Sequence, residues 1–264
     1  PMHLSKRSTL LALSVFMSLS LSPQALAAEW TKVEFPGMNP ALTTPYMGMK
    51  RLVNNGKDAW LLQDNGQPWK WSGGGWVKTG TCCVADISLG ADGTLWALST
   101  GTRQLMKLDP TNDNRWLKDF PARALKQIAA VNGTTVYGIG AKDGAVYSLS
   151  DAGWTKHSCC VAKLAAGAQG ELWAINAKNG LLRWNGSQWL QQPGTAVEVA
   201  VRDSSYVATL DSKGNASVWT GSGWKPMEAP VNAPGKPSRL KLIAITPLKV
   251  WAISKDNWVW VANL

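Results

Sequence analysis

Histidine, cysteine, phenylalanine and tyrosine are all scarce in this chain of 264 residues. His3 and His157 are its two histidines, and His3 stands in a leader-like start. A single histidine in a connecting segment assembles no Ser-His-Asp set. The five glutamates are Glu29, Glu34, Glu171, Glu198 and Glu228, at unrelated places in the repeat described below. Asp64, Asp92, Asp143, Asp211 and Asp256 fit hairpin turns, where their side chains cap the backbone, so no general acid and base pair stands out. Cysteine occurs only as Cys82-Cys83 and Cys159-Cys160, without the Cys-x-x-Cys spacing of redox and zinc motifs. The one glycine cluster, SGGG at 72–75, reads as a hairpin turn and precedes no helix, so it is not a phosphate loop. DPTNDN at 109–114 lacks the glycine and the distal glutamate of a helical calcium loop and reads as an inserted turn. These absences predict a protein that is not an enzyme, with no cofactor and no metal.

Long apolar runs are also missing. The run from Leu10 to Leu21 is shorter than the ~20 residues a spanning helix needs. Lys6 and Arg7 precede it and Ala25-Leu26-Ala27 follows it, the order of a secretory signal peptide. The expectation is a signal over residues 1–27 and one domain over 28–264, periplasmic or secreted, with no transmembrane segment after cleavage. Removing Lys6 and Arg7 lowers the formal charge from +10 to +8. Such a balance suits anionic partners. An exported protein rarely meets nucleic acid, so none is expected as a partner.

Tryptophan is abundant instead: 16 residues, against 7 for Phe and Tyr together. Trp30, Trp76, Trp116, Trp154, Trp189 and Trp224 recur at intervals of 46, 40, 38, 35 and 35 residues. That period is typical of four-stranded propeller blades. A second phrase recurs inside each unit: AWLL at 59–62, LWAL at 95–98, VYGI at 136–139, LWAI at 172–175, YVAT at 206–209 and VWAI at 250–253. Apolar on both faces, these runs predict strands covered on both sides. Trp60, Trp96, Trp173 and Trp251 within them are assigned to packing between blades. Trp69 and Trp258 are placed in register with Met106, Tyr147 and Leu182, and also in the core. The third strands are expected to end at Trp71, Leu108, Leu149, Trp184, Trp219 and Trp260. Asx-Gly and similar pairs between the phrases supply the positive φ of tight hairpins. The expected fold is all-β, a six-bladed propeller of four-stranded antiparallel blades. The chain stops where a seventh tryptophan would fall, so Trp30 is expected to supply the outer strand of the last blade.

The phrases GADGTLWAL and GAQGELWAI, each followed by a hairpin and the next tryptophan, resemble the tectonin family. The resemblance spans nearly all of residues 30–264. It implies a lectin-like propeller that recognises microbial surface glycans, including lipopolysaccharide. A protein-interaction module of the cell envelope is the alternative.

Two connections rich in proline, roughly residues 33–50 and 226–240, should lie on one face with the middle hairpins, where bases also collect. Arg103, Lys178, Lys236 and Arg239 are the predicted polar contacts, since Arg and Lys suit phosphates and acidic sugars. Trp76, Trp154 and Trp189, on outer strands, are the predicted stacking rings. The four cysteines allow three pairings. Blades 2 and 4 are not neighbours, which favours two vicinal disulfides, Cys82–Cys83 and Cys159–Cys160, with four free thiols as the alternative.

Overall fold

The computed structural model describes residues 25–35, 48–79, 82–112, 115–219, 221, 223–233 and 235–264. Most of the predicted signal and most of the first proline-rich connection lie outside the described residues. Among those described, six four-stranded antiparallel sheets form a ring, with one additional two-stranded hairpin. No helix among them is long and apolar enough to cross a membrane.

Blade 1 runs Met49–Asn54, Ala59–Gln63, Pro68–Trp71 and Trp76–Lys78 from the axis outward. Blades 2 to 5 repeat this order. Blade 6 is built from Leu240–Ile245, Lys249–Ser254 and Val259–Asn263, and its outer strand is Trp30–Val33. Trp30 pairs with Ala262 and Val33 with Val259, so the N-terminal strand closes the ring. Ordered contacts reach past the predicted boundary at residue 28. Leu26 donates to the Pro226 carbonyl at 2.7 Å and accepts from Glu228 at 3.1 Å, along the outer strand of blade 5.

The second strand of each blade is the wedge between its neighbours. In blade 2, Leu95 and Ala97 pack toward Trp60 and Leu62 of blade 1, while Trp96 and Leu98 pack toward Leu125, Ile128 and Val136 of blade 3. Alternate residues of one strand thus enter two different interfaces, which explains why both of its faces are apolar. The tryptophans of the third and fourth strands pair edge to face across the sheet. Trp71–Trp76, Trp184–Trp189 and Trp219–Trp224 have ring centroids 5.6, 5.1 and 5.6 Å apart. Such pairs stabilise beyond the area they bury.

Two expected registers are corrected. In blade 5, Val207 pairs with Trp219, which pairs with Trp224, so the repeated phrase is Val207–Leu210 rather than 206–209. Ala208 then takes the place that tryptophan holds in four other blades, and Leu26, Ala28 and Trp30 pack into that same cluster. In blade 6, Trp260 pairs with Ala252, so Trp260 rather than Trp258 matches Met106, and the third strand reaches Ala262 before meeting Trp30. Trp258 precedes the strand and is buried under the Lys32 ammonium, 3.2 Å from its ring centroid.

A repeated joint sets one blade against the next. In each middle hairpin one residue has positive φ: Gly66, Arg103, Gly144, Asn179, Gly214 and Asn257. The carbonyls of the first five accept the amides of Val84, Leu125, Val161, Ala196 and Leu240, at 2.9–3.2 Å. At ring closure the Asn257 side-chain oxygen accepts from Met49 at 3.3 Å. Glycine is indispensable at Gly214, where a Cβ would lie 2.5 Å from the Leu240 carbonyl oxygen.

Candidate functional site

The upper rim carries the middle hairpins and the connections between blades. The lower rim carries the first and third turns of each blade. Arg103, Lys178, Lys236 and Arg239 are all exposed on the upper rim. They do not converge. Arg103 belongs to blade 2, Lys178 to blade 4, and Lys236 and Arg239 to the connection between blades 5 and 6, across the ring from blade 2. Arg103 is also the joint residue of its blade. The Arg239 guanidinium donates to the Asn215 side-chain oxygen at 2.6 Å, and Lys236 sits on the small hairpin Val231–Ala233 with Lys236–Pro237.

The stacking rings need one correction. Trp76 is 3% exposed and packed among Phe35, Trp71 and Trp251, so it offers no face to a ligand. Phe35, just past the closing strand, covers an outer-strand tryptophan that would otherwise face solvent. Trp154 and Trp189 are half-buried. Trp154 donates through Nε1 to the Pro121 carbonyl at 2.7 Å, and Trp189 lies against Trp184.

The lower rim holds a feature that sequence reasoning missed. A groove of about 970 Å³ runs under blade 1 toward blades 2 and 6. Its lining includes the half-buried Trp71 together with Lys57, Lys70, Lys78, Asp92 and Lys249. Lys70 pairs with Asp58 at 3.0 Å. Asp92 is occupied by the amides of Thr94 and Gly133. Lys57, Lys78 and Lys249 are exposed and form no ion pair among the described residues. Lys57 and Asp92 come from first turns, while Lys70, Lys78 and Lys249 lie on three different strands, so no shared repeat position marks the set.

The channel was also missed. At one level each inner strand contributes the residue opposite the last position of the repeated phrase: Arg51, Asp86, Gln127, Lys163, Glu198 and Leu242. Arg51 pairs with Asp86 at 3.5 Å, and Lys163 pairs with Glu198. The Gln127 side chain exchanges hydrogen bonds with the Leu164 backbone, at 3.0 and 3.2 Å. Asp86 also accepts the Ile128 amide at 2.9 Å. Burial pushes the Asp86 carboxyl up, against the pull of Arg51 and the Ile128 amide. Both channel carboxylates are thus held by cations of adjacent blades, as stitches between sheets. The clue lay in the twin phrases CCVAD and CCVAK, which place opposite charges in one column.

Both cysteine pairs are vicinal disulfides, and all four cysteines are exposed on the upper rim. Beside Cys159–Cys160, the Tyr147 hydroxyl donates to Asp143 at 2.6 Å and Lys156 lies 3.3 Å from the same carboxylate. The Arg123 guanidinium stacks 3.7 Å from the Tyr147 ring centroid. The Tyr147 hydrogen bond, the Ala145 amide and Lys156 hold the Asp143 carboxyl at about 2, below its ordinary 3.8. With the folded value depressed, the stabilisation is complete above the ordinary carboxylate range and is lost as pH falls from about 3.8 through about 2. Tyr147→Phe should raise the Asp143 value toward 3.8, read as the carboxyl-carbon shift in an NMR titration. An unchanged titration would show that the hydroxyl is not the cause.

Comparison with known proteins agrees with this architecture. A model of the Tectonin domain matches residues 124–264. No curated protein matches the chain. Among solved structures, a putative gluconolactonase has a TM-score of 0.61 at 12% identity, covering 89% of this chain and 92% of that one. A catalytically inactive virginiamycin B lyase from Staphylococcus aureus with quinupristin has a TM-score of 0.59 at 10% identity, covering 90% and 99%. YCF48 bound to D1 peptide has a TM-score of 0.58 at 12% identity, covering 92% and 99%. At these identities the likeness is one of fold, and folds of this kind serve many activities. The matched domain spans more than half of the residues, from the start of blade 3 to the last strand, and the chain belongs to the tectonin family.

Proposed function

We propose that this propeller is a non-enzymatic, lectin-like binder of anionic surface glycans such as lipopolysaccharide, acting in the periplasm or outside the cell. The observation that carries the reading is the groove under blade 1. It sets a half-buried indole beside exposed lysines that form no ion pair among the described residues. An indole stacks its face on the apolar C–H side of a sugar ring, and ammonium groups meet the sugar's phosphates or carboxylates. The stitched channel carboxylates support a binding role over hydrolysis, because each is already engaged by a cation.

The test is binding of the full chain to a glycan array that includes lipopolysaccharide. Lys57→Ala, Lys78→Ala and Lys249→Ala combined should weaken binding at least tenfold and reduce its salt dependence. The upper-rim set Arg103→Ala, Lys178→Ala, Lys236→Ala and Arg239→Ala should change it less than twofold. The reverse pattern would move the site to the upper rim.

A protein partner is the second reading. Leu248 is 73% exposed and Leu264 44% exposed on the lower rim, joined by the Leu264 amide to the Leu248 carbonyl. Silence on the array, with Leu248→Asp abolishing capture of an envelope protein, would favour that reading.

A further inference from the structure

We propose that Cys82–Cys83 and Cys159–Cys160 are two equivalent thiol–disulfide exchange sites, reducible while the propeller stays folded. Each closes a ring between adjacent residues, so it removes almost no freedom from the unfolded chain and fastens no distant segments. Neither bond holds its blade. The turns are fixed by backbone hydrogen bonds, from Val84 to the Gly66 carbonyl and from Val161 to the Gly144 carbonyl. A cross-link with so little to stabilise calls for a chemical role.

Placement supports that role. All four cysteines are exposed, on one rim, at the same point of blades two apart. A dithiol reductant can approach from solvent at both. The joint residue beneath each pair is a glycine. A Cβ added to Gly66 would lie 3.0 Å from the Cys83 Cβ, and one added to Gly144 would lie 3.7 Å from that of Cys160. Of the four joints that carry no cysteine, three have Arg103, Asn179 and Asn257 at this place and the fourth has Gly214. Both sulfurs of the second pair lie 3.4 Å from the Asp143 carbonyl oxygen, at the turn surface.

The exchange is a two-electron step at each turn. A thiolate of the reductant attacks one sulfur, and the Cys–Cys bond breaks as a mixed disulfide forms. The released cysteine takes up a proton. The second thiol of the reductant then displaces the other cysteine and leaves as its own disulfide. The product is a pair of adjacent thiols suited to a thiophilic ligand that bonds both, such as a trivalent arsenical.

The experiment uses the full oxidised chain under native conditions. It is treated with dithiothreitol, desalted, and labelled with a maleimide for mass counting, while tryptophan emission reports the fold. Four thiols should appear from none, with unchanged emission. Cys82→Ser with Cys83→Ser should leave two, as should Cys159→Ser with Cys160→Ser. Phenylarsine oxide should block labelling at one arsenical per pair. Thiols that appear only with a shift in emission or after denaturant would overturn the proposal. So would reduction confined to one turn, or a chain isolated with four thiols that a mild oxidant fails to close.

Discussion

A chain shortened to begin at Glu34 should fail to form a stable monomer. The loss removes the outer strand of blade 6 and bares the edge of Val259–Asn263, which Trp30–Val33 pairs from Ala262 to Val259. Leu26, Ala28 and Trp30 also leave the cluster between blades 5 and 6, and Val33 leaves the cluster between blades 6 and 1. Full burial of a large apolar side chain contributes about 1.5–3 kcal/mol, and with Val33 buried and Leu26 and Trp30 half-buried the loss is a sizeable share of the 5–15 kcal/mol that typically separates folded from unfolded states. The exposed edge adds a template for aggregation. Size-exclusion chromatography and thermal unfolding against the chain beginning at Ala25 measure the effect. An equally monomeric product with the same Tm would mean that the ring closes without this strand.

Replacing Trp96 by alanine should cost about 3–5 kcal/mol, the usual range for emptying a tryptophan site in a core. The side chain is 1% exposed and packs against the tilted ring of Phe120, with ring centroids 5.1 Å apart. Its Nε1 donates to the Asn132 carbonyl at 2.9 Å, so the change also orphans an acceptor at the blade 2 to blade 3 interface. For a chain of this size the Tm should fall by about 10 °C. Trp189→Ala is the control, since that ring is half-buried on an outer strand. It should cost about 1 kcal/mol, within the range of ordinary substitutions. Equal losses in calorimetry would contradict the wedge role of the second strand.

Blade number and closure were legible because they rest on one repeated requirement. Every wedge strand must be apolar on both faces, and every outer strand must offer a ring to its neighbour. The slips came where that requirement is met differently. In blade 5 alanine replaces the wedge tryptophan, and N-terminal residues fill in, so the local phrase misleads by one position. In blade 6 a tryptophan before the strand imitates one within it. Trp76 looked available because the strand pattern carries no sign of Phe35, which folds over it from another segment. The candidate groove was not legible at all. Its lysines come from one turn and three different strands with no shared repeat position, and only the closed ring brings blades 6, 1 and 2 together. Asp92, Asp143 and Asp211 each accept a backbone amide within their own turns.

Arg51 gives the molecule a property that neither rim has alone. Its guanidinium reaches from blade 1 to the carbonyls of Ile87 and Ile128 in blades 2 and 3, at 3.3 and 3.1 Å, beside a pocket of about 70 Å³ that Arg51 and Glu198 help to line. One side chain thus ties the inner strands of blades 1, 2 and 3 together, and a change at Arg51 would be felt by all three.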